Sequence, residues 1–210
     1  PNFRDLGTAW IGGGFPVAPT WTKDTTMNTL PSADGWTYTG AATEANVFSV
    51  SGGKLYQNKN GYAATDTGYY SRTTTLSNTN GWAVAWKLKA VNPADTAGRF
   101  SIEVRIQDGT KILQLAINSY YIETGQLSTN HKVQVALMND REHTFIAMGK
   151  GSDFFLFIDG RLVIDATGLM TSANASNIIA FGDIDTNSGA NADVVWDYIK
   201  DYNTAWLPPQ

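Results

Sequence analysis

Arg99, Ser101, Glu103 and Arg105 recur two residues apart along one run, Gln114 and Asn118 stand four apart further along, and Tyr120 and Tyr121 come soon after. Alternation by two places side chains on one face of a strand. The run therefore offers a row of carboxylate, amide and guanidinium groups beside two aromatic rings. Such a row can hydrogen-bond sugar hydroxyls while tyrosine covers the apolar face of a ring. The same residues also suit a solvated outer face carrying a Glu–Arg pair. A second set of oxygen donors lies in Asp183-Ile184-Asp185-Thr186-Asn187-Ser188-Gly189, with Asp193 and Asp197 soon after. Alternate oxygen donors are what a hard cation such as calcium takes. An EF-hand loop would have Gly sixth and Glu twelfth, where Ser188 and Val194 stand, so a polar hairpin turn is the competing reading.

Other chemistries are poorly supplied. Glycoside hydrolysis needs two carboxyl groups roughly 5–9.5 Å apart, and the four glutamates, Glu44, Glu103, Glu123 and Glu142, give Glu103 no partner two residues along its own strand. His131 and His143 lack a second His or Cys at ligand spacing, which argues against zinc and reads as strand-end surface positions. With no cysteine, thiol nucleophiles, thiolate ligands and disulfides are excluded.

The elements that must position these groups are strands. Phe100, Ile102, Val104 and Ile106 alternate with the polar row, and Asp108-Gly109 is a favoured type I′ turn pair. That turn predicts Val104 facing Leu113, Ile102 facing Leu115 and Phe100 facing Ile117. On the other face it sets Glu103 against Gln114 and Arg99 against Asn118. A second hairpin is predicted around Asp159-Gly160, with Phe157 opposite Leu162 and Phe155 opposite Ile164. Its two faces are both apolar, as in a strand pair covered on both sides. Further strands are predicted over Tyr69 to Leu76, Gly81 to Val91, Lys132 to Leu137, His143 to Gly149, Ile178 to Gly182 and Val194 to Tyr202, with short pairs near Val47 and Leu55.

Residues 1–31, with Gly12-Gly13-Gly14, Pro16, Pro19 and Pro31, show no periodic element and read as an extended N-terminal arm; residues 32–210 read as one β-sandwich domain. Trp82 and Trp86 share the apolar face of one strand and read as core. Trp10, Trp21 and Trp36, in or near the arm, read as contact residues through which the chain could assemble with a partner.

Charged residues make up 16% of the chain, below the roughly 25% of ordinary soluble chains, so Gly, Thr, Asn and Ser must supply a polar, weakly charged surface. A net charge of −4 opposes the counterion release that drives nucleic-acid binding, and no apolar run approaches the roughly 18 residues of a spanning helix. Nucleic acid and membrane insertion are not expected. The first residues show no basic-then-apolar pattern, so no leader is expected. A start at Pro-Asn-Phe suits both removal of an initiator Met and processing of a secreted domain.

The stretch Glu142 to Gly168, EHTFIAMGKGSDFFLFIDGRLVIDATG, followed by VVWDYIKDY at Val194 to Tyr202, resembles the back half of a concanavalin A-like or laminin G-like domain. There an "H-x-F" strand leads to an "F-x-D-G-x-x-V" hairpin and a "W-D-Y-I" strand closes the sheet. The resemblance implies an all-β, two-sheet antiparallel jelly roll. It also implies a ligand face on the polar side of one concave sheet, and Asp197 as a ligand of structural calcium. It points to a lectin-like module that binds a glycan or protein surface, extracellular or displayed on a virion or cell, with Arg99, Glu103, Arg105, Gln114, Asn118 and Tyr121 as its binding residues. The alternative is a polysaccharide lyase or glycoside hydrolase. Alginate-lyase-like jelly rolls carry Arg-x-Glu-x-Arg and Gln-x-His strands, and here Ser101 replaces the first Arg and Ala116 the His. These motifs are structural and argue for fold more than for activity.

Overall fold

The computed structural model describes residues 21–58, 66–93, 102–117, 121–134, 141–184 and 192–203. Among these, helix is limited to a 3₁₀ turn, Pro31–Asp34, and a single α-turn, α1, Glu44–Val47. The rest of the regular structure is strand, paired antiparallel throughout.

Eight strands form one sheet: β1 Lys23–Thr26, β3 Phe48–Ser51, β4 Lys54–Gln57, β6 Trp82–Pro93, β11 His143–Lys150, β12 Asp153–Ile158, β13 Arg161–Asp165 and β15 Ala192–Tyr202. Their order is β13-β12-β11-β6-β15-β4-β3, and β1 pairs with β15 beyond the short β4 contact. Seven strands form the other: β2 Thr37–Gly40, β5 Gly68–Thr73, β7 Ile102–Asp108, β8 Ile112–Ile117, β9 Tyr121–Gly125, β10 Lys132–Gln134 and β14 Asn177–Asp183, in the order β10-β9-β8-β7-β14-β5-β2.

The core lies between the sheets. Trp82, Val84, Trp86 and Leu88 of β6 point inward, as do Phe145 and Ala147, Phe154 and Leu156, Trp196 and Ile199. From the other sheet come Ile102, Val104, Ile106, Leu113, Leu115, Ile117, Tyr70 and Phe181. Aromatic edges fill one region: Trp36 meets Phe181 edge-on at 5.0 Å, and Phe181 meets Trp196 at 4.9 Å. Trp36, read from the sequence as a contact residue, is instead a core residue at 3% exposure. Its indole N–H donates to Thr25 Oγ1 at 3.1 Å, so the segment preceding β2 brings both packing and an acceptor to the ring. Trp21 is half-buried and Trp10 lies outside the described residues. The described end of the stretch read as an arm, 21–31, supplies β1 and the buried Met27.

The second hairpin has the predicted turn: Asp159 and Gly160 sit at φ +50° and +79°, and Phe157 pairs with Leu162. Beyond that pair a β-bulge shifts the register, so Leu156 faces Ile164 and Phe155 faces Asp165. The sequence placed Phe155 opposite Ile164, because turn chemistry fixes register only up to the first bulge.

The first hairpin corrects the prediction. Val104 pairs with Leu115, Ile102 with Ile117 and Arg105 with Gln114, a slide of two residues. The two-residue turn is centred on Gly109-Thr110, with Gly109 at φ +82°, and Asp108 is left on the strand, where its N–H donates to the Lys111 carbonyl. Asp108 is held there by its side chain. Oδ1 accepts from the Thr110 and Lys111 N–H groups at 3.0 and 2.7 Å, while Oδ2 accepts from Trp82 Nε1 at 2.8 Å and Asn78 Nδ2 at 2.9 Å. A slide of two leaves every side chain on its predicted face, because the period of a strand is two. The apolar set therefore still faces the core.

Candidate functional site on the seven-stranded sheet

The outward face of the seven-stranded sheet carries the predicted polar row. Register places Thr39, Tyr69, Gly182, Glu103, Ala116, Glu123 and Lys132 in one line across the strands. The next line reads Thr37, Ser71, Ala180, Arg105, Gln114 and Gly125. Charged and amide groups thus occupy β7 and its neighbours, flanked by Gly182, Ala180, Ala116 and Gly125. Arg105 and Gln114 are half-buried beside these small residues, while Ala116, Ala180 and Gly182 are buried. At Gly182, φ is +124° and a Cβ would lie 2.7 Å from the Gly68 carbonyl oxygen and 2.9 Å from Tyr69 Cα. Only glycine fits this approach between β14 and β5.

Glu103 is 0% exposed although it points away from the core. Arg105 donates to Gln114 Oε1 at 3.5 Å, the long end of a hydrogen bond. On β9, Tyr121 and Glu123 share the same face. Lys132 Nζ lies 3.4 Å from the Tyr121 ring centroid and 3.8 Å from Glu123, a cation–π contact joined to an ion pair.

Of the residues read from the sequence as ligand-binding, the structure brings together Glu103, Arg105 and Gln114 and puts Tyr121 on the same face two strands from β7; Arg99 and Asn118 lie outside the described residues. The slide of register puts Arg105, not Glu103, beside Gln114. It also sets Ala116 directly opposite Glu103. Sequence reasoning missed Glu123, because β9 itself was missed: its inward positions are Ile122 and Thr124, and a buried Thr weakens the apolar alternation that marks a strand.

Of the suggested metal residues, Asp197 lies on the other sheet. Asp197 is the extra residue of a β-bulge in β15, between Trp196, paired with Leu88, and Tyr198, paired with Lys87. Its carboxylate accepts from Lys87 Nζ at 2.8 Å and lies 3.7 Å from Lys54 Nζ, while Glu142 binds both lysines. Two ammonium groups on this carboxylate do not fit a hard-cation site, and no group of three or more metal-ligating side chains converges among the described residues. Asp183 ends β14 buried, and Asp185 lies outside the described residues. His143, read as a surface residue, is buried at the start of β11 with Nδ1 2.8 Å from Asp159 Oδ2.

The four-charge cluster has a testable consequence for stability. Hydrogen bonds from Lys54 and Lys87 hold the Glu142 carboxyl below its usual range, and those to Asp197 and Glu142 raise Lys87 above its own. Glu142 therefore stabilises the fold above the ordinary Glu pKa, an effect lost as pH falls through its lowered value. Lys87 stabilises below the ordinary Lys pKa, an effect lost as pH rises through its raised value. Because the side chains are partly exposed, Glu142→Gln is expected to cost only about 0.5–1 kcal/mol at neutral pH. Denaturant titrations should show that difference fade as pH falls below the ordinary Glu range and shrink in high salt. A difference independent of pH would show that packing, not charge, holds the cluster.

No protein-family model matches the chain, and no curated protein matches it. Solved structures do. A carbohydrate esterase from the Shiga toxin-encoding bacteriophage phi24B is 16% identical with a TM-score of 0.60, over 89% of this chain and 100% of that one. An endo-1,3-beta-glucanase from Streptomyces sioyaensis is 11% identical with a TM-score of 0.58, over 89% and 98%. An alginate lyase A1-II′ carrying two introduced cysteines is 8% identical with a TM-score of 0.56, over 82% and 96%. The fold is an all-β, two-sheet antiparallel jelly-roll sandwich, consistent with the architecture that the concanavalin A-like resemblance implied. The sequence resemblance drawn from the two hairpins and the closing strand thus named the right architecture, and the polar row lies on one outer face of that jelly roll. At these identities the likeness shows the fold alone.

Proposed function

We propose that this jelly roll is a carbohydrate-recognition domain, extracellular or surface-displayed, that holds a glycan on the outward face of the seven-stranded sheet without transforming it. The observation that carries the reading is the juxtaposition of Glu103, Arg105 and Gln114 on adjacent central strands, flanked by glycine and alanine. The arrangement supplies acceptors, an amide and a cation, with Arg105 and Gln114 half-buried and reachable beside the buried Glu103. Ala116 stands where the lyases it resembles carry an imidazole, directly across from Glu103, so that proton-transfer group is missing. The similar structures, named as an esterase, a glucanase and a lyase, support carbohydrate as the ligand class.

Arg105→Ala and Gln114→Ala are each expected to weaken glycan binding by about 1–3 kcal/mol, the range for leaving a polar partner unmade, with little change in melting temperature. A glycan array followed by calorimetry reads both effects. Parent-like binding by both variants to every glycan that the parent binds would return the row to a solvated face.

A specific observation favours a second reading. Glu103 and Glu123 share one line two strands apart, about 9.6 Å between backbones, near the upper end of the carboxylate separation of inverting glycosidases. If the domain hydrolyses a polysaccharide, Glu103→Gln and Glu123→Gln should each abolish product release while binding persists. A recognition domain releases no product in the parent.

A further inference from the structure

The eight-stranded sheet has a second apolar face, turned away from the sandwich core. One line across it reads Tyr202, Ala83, Met148 and Phe155, and the next reads Lys200, Ala85, Ile146, Phe157 and Leu162. Ala83, Met148, Phe155 and Phe157 form a cluster of their own, with Ile146, Leu162 and Tyr202 packed against it. Among the described residues this cluster draws on side chains of that one sheet. Even so, Met148 and Phe157 are each 1% exposed, as dry as the core. An outer sheet face this apolar and this dry is a covered face.

The course of the chain indicates what covers it. The Thr22 N–H donates to the Asp201 carbonyl at 2.8 Å, its hydroxyl donates to Asn203 Oδ1 at 3.1 Å, and β1 then runs antiparallel to β15. Residues 1–20 therefore join the fold beside Tyr202, where the first apolar line begins. Twenty residues extend to roughly 66 Å at most, and crossing from β15 to β13 takes about 19 Å. The segment carries Phe3, Leu6, Trp10, Ile11, Phe15 and Val17. Residues 204–210 leave from the same end but bring only Trp206 and Leu207 as large apolar side chains.

We propose that residues 1–20 dock across this outer face within their own chain, so that the segment read from the sequence as an extended arm is a third layer of the jelly roll. The interaction is apolar, residues 1–20 offering Phe3, Trp10, Ile11 and Phe15 to the face built from Ala83, Met148 and Phe157.

The test uses the full chain with a photo-crosslinking phenylalanine analogue at Leu162 or Tyr202, followed by mass spectrometry of the adducts. Adducts to residues 1–20 in monomeric protein are expected. Adducts confined to residues 204–210, adducts found only in covalent dimers, or none at all would overturn the proposal. A chain beginning at Trp21 supplies the second measurement. It should bind the dye ANS several-fold more strongly and melt roughly 5–15 °C lower, both reversed by a synthetic peptide of residues 1–20. Unchanged dye binding and melting would overturn the proposal, and the crosslinking decides alone if the shortened chain does not fold.

Discussion

Asp108→Ala is expected to lower stability by about 3–5 kcal/mol, because four donors lose their acceptor at once. Two of these are the backbone N–H groups of Thr110 and Lys111, which define the turn; the others are Trp82 Nε1 and Asn78 Nδ2, which reach Asp108 from the opposite sheet and its preceding loop. Asp108 is buried, as is Trp82, so water does not freely replace the lost bonds. Asp108→Asn separates the two roles. Its carbonyl oxygen keeps the turn bonds, but its NH₂ meets the Trp82 and Asn78 donors head-on, so an intermediate loss of roughly 1–3 kcal/mol is expected. Guanidinium titrations of the three proteins check the order. A loss under about 1 kcal/mol for Asp108→Ala would mean that the turn holds its register without this carboxylate.

Arg72→Ala should be comparably severe, by about 3–5 kcal/mol, since it strands a carboxylate inside the sandwich. Arg72 of β5 reaches between the sheets to Asp201 of β15, which is 1% exposed, and its guanidinium lies 4.8 Å from the centroid of the Trp36 ring. Burial pushes the Asp201 carboxyl above its usual range, and Arg72 pulls it back in part. The folded state therefore holds the Asp201 proton at pH values where the unfolded chain has released it. Stability from this group falls as pH rises from the ordinary carboxylate range to the raised value, and is level above it. Removing Arg72 widens that window, so Arg72→Ala should lose stability more steeply than the parent as pH rises above about 4. Replacing both partners, Arg72→Met with Asp201→Leu, should recover most of the loss, because an apolar pair of similar volume avoids the cost of desolvating two charges. If the double variant is as unstable as Arg72→Ala, the pair contributes packing or specificity that apolar side chains cannot supply.

Both ties close the same end of the sandwich. Asn177 pairs with Asp108 across β14 and β7, and its side chain binds Thr74 and the Leu76 backbone just beyond β5. The polar row on β7 is thus carried by a strand anchored through Asp108 to the opposing sheet. That anchoring makes the position of Arg105 and Gln114 depend on a turn at the far end of their own hairpin.

What the sequence determined by itself was period and face. Strict alternation along Ile102 to Ile117 fixed which side chains are core, and a two-residue error in register did not disturb it, because a slide of two maps each face onto itself. The Asp159-Gly160 pair likewise fixed its turn, since both residues must adopt positive φ. Tertiary structure decided what lies across from what. Asp108 left the turn centre because a buried indole N–H on the other sheet needed an acceptor. The bulge at Leu156/Phe157 and the extra residue Asp197 follow from fitting strands into two packed sheets, for which no local residue pattern is a signal. Asp197 went to a lysine cluster, a partnership among β4, β6 and β15 that no spacing in the sequence records. Trp36 became core because Thr25, Arg72 and Phe181 converge on it from three separate strands. Glu123 joined the candidate site for the same reason: adjacency across strands is a property of the folded sheet, and a single chain reports only adjacency along itself.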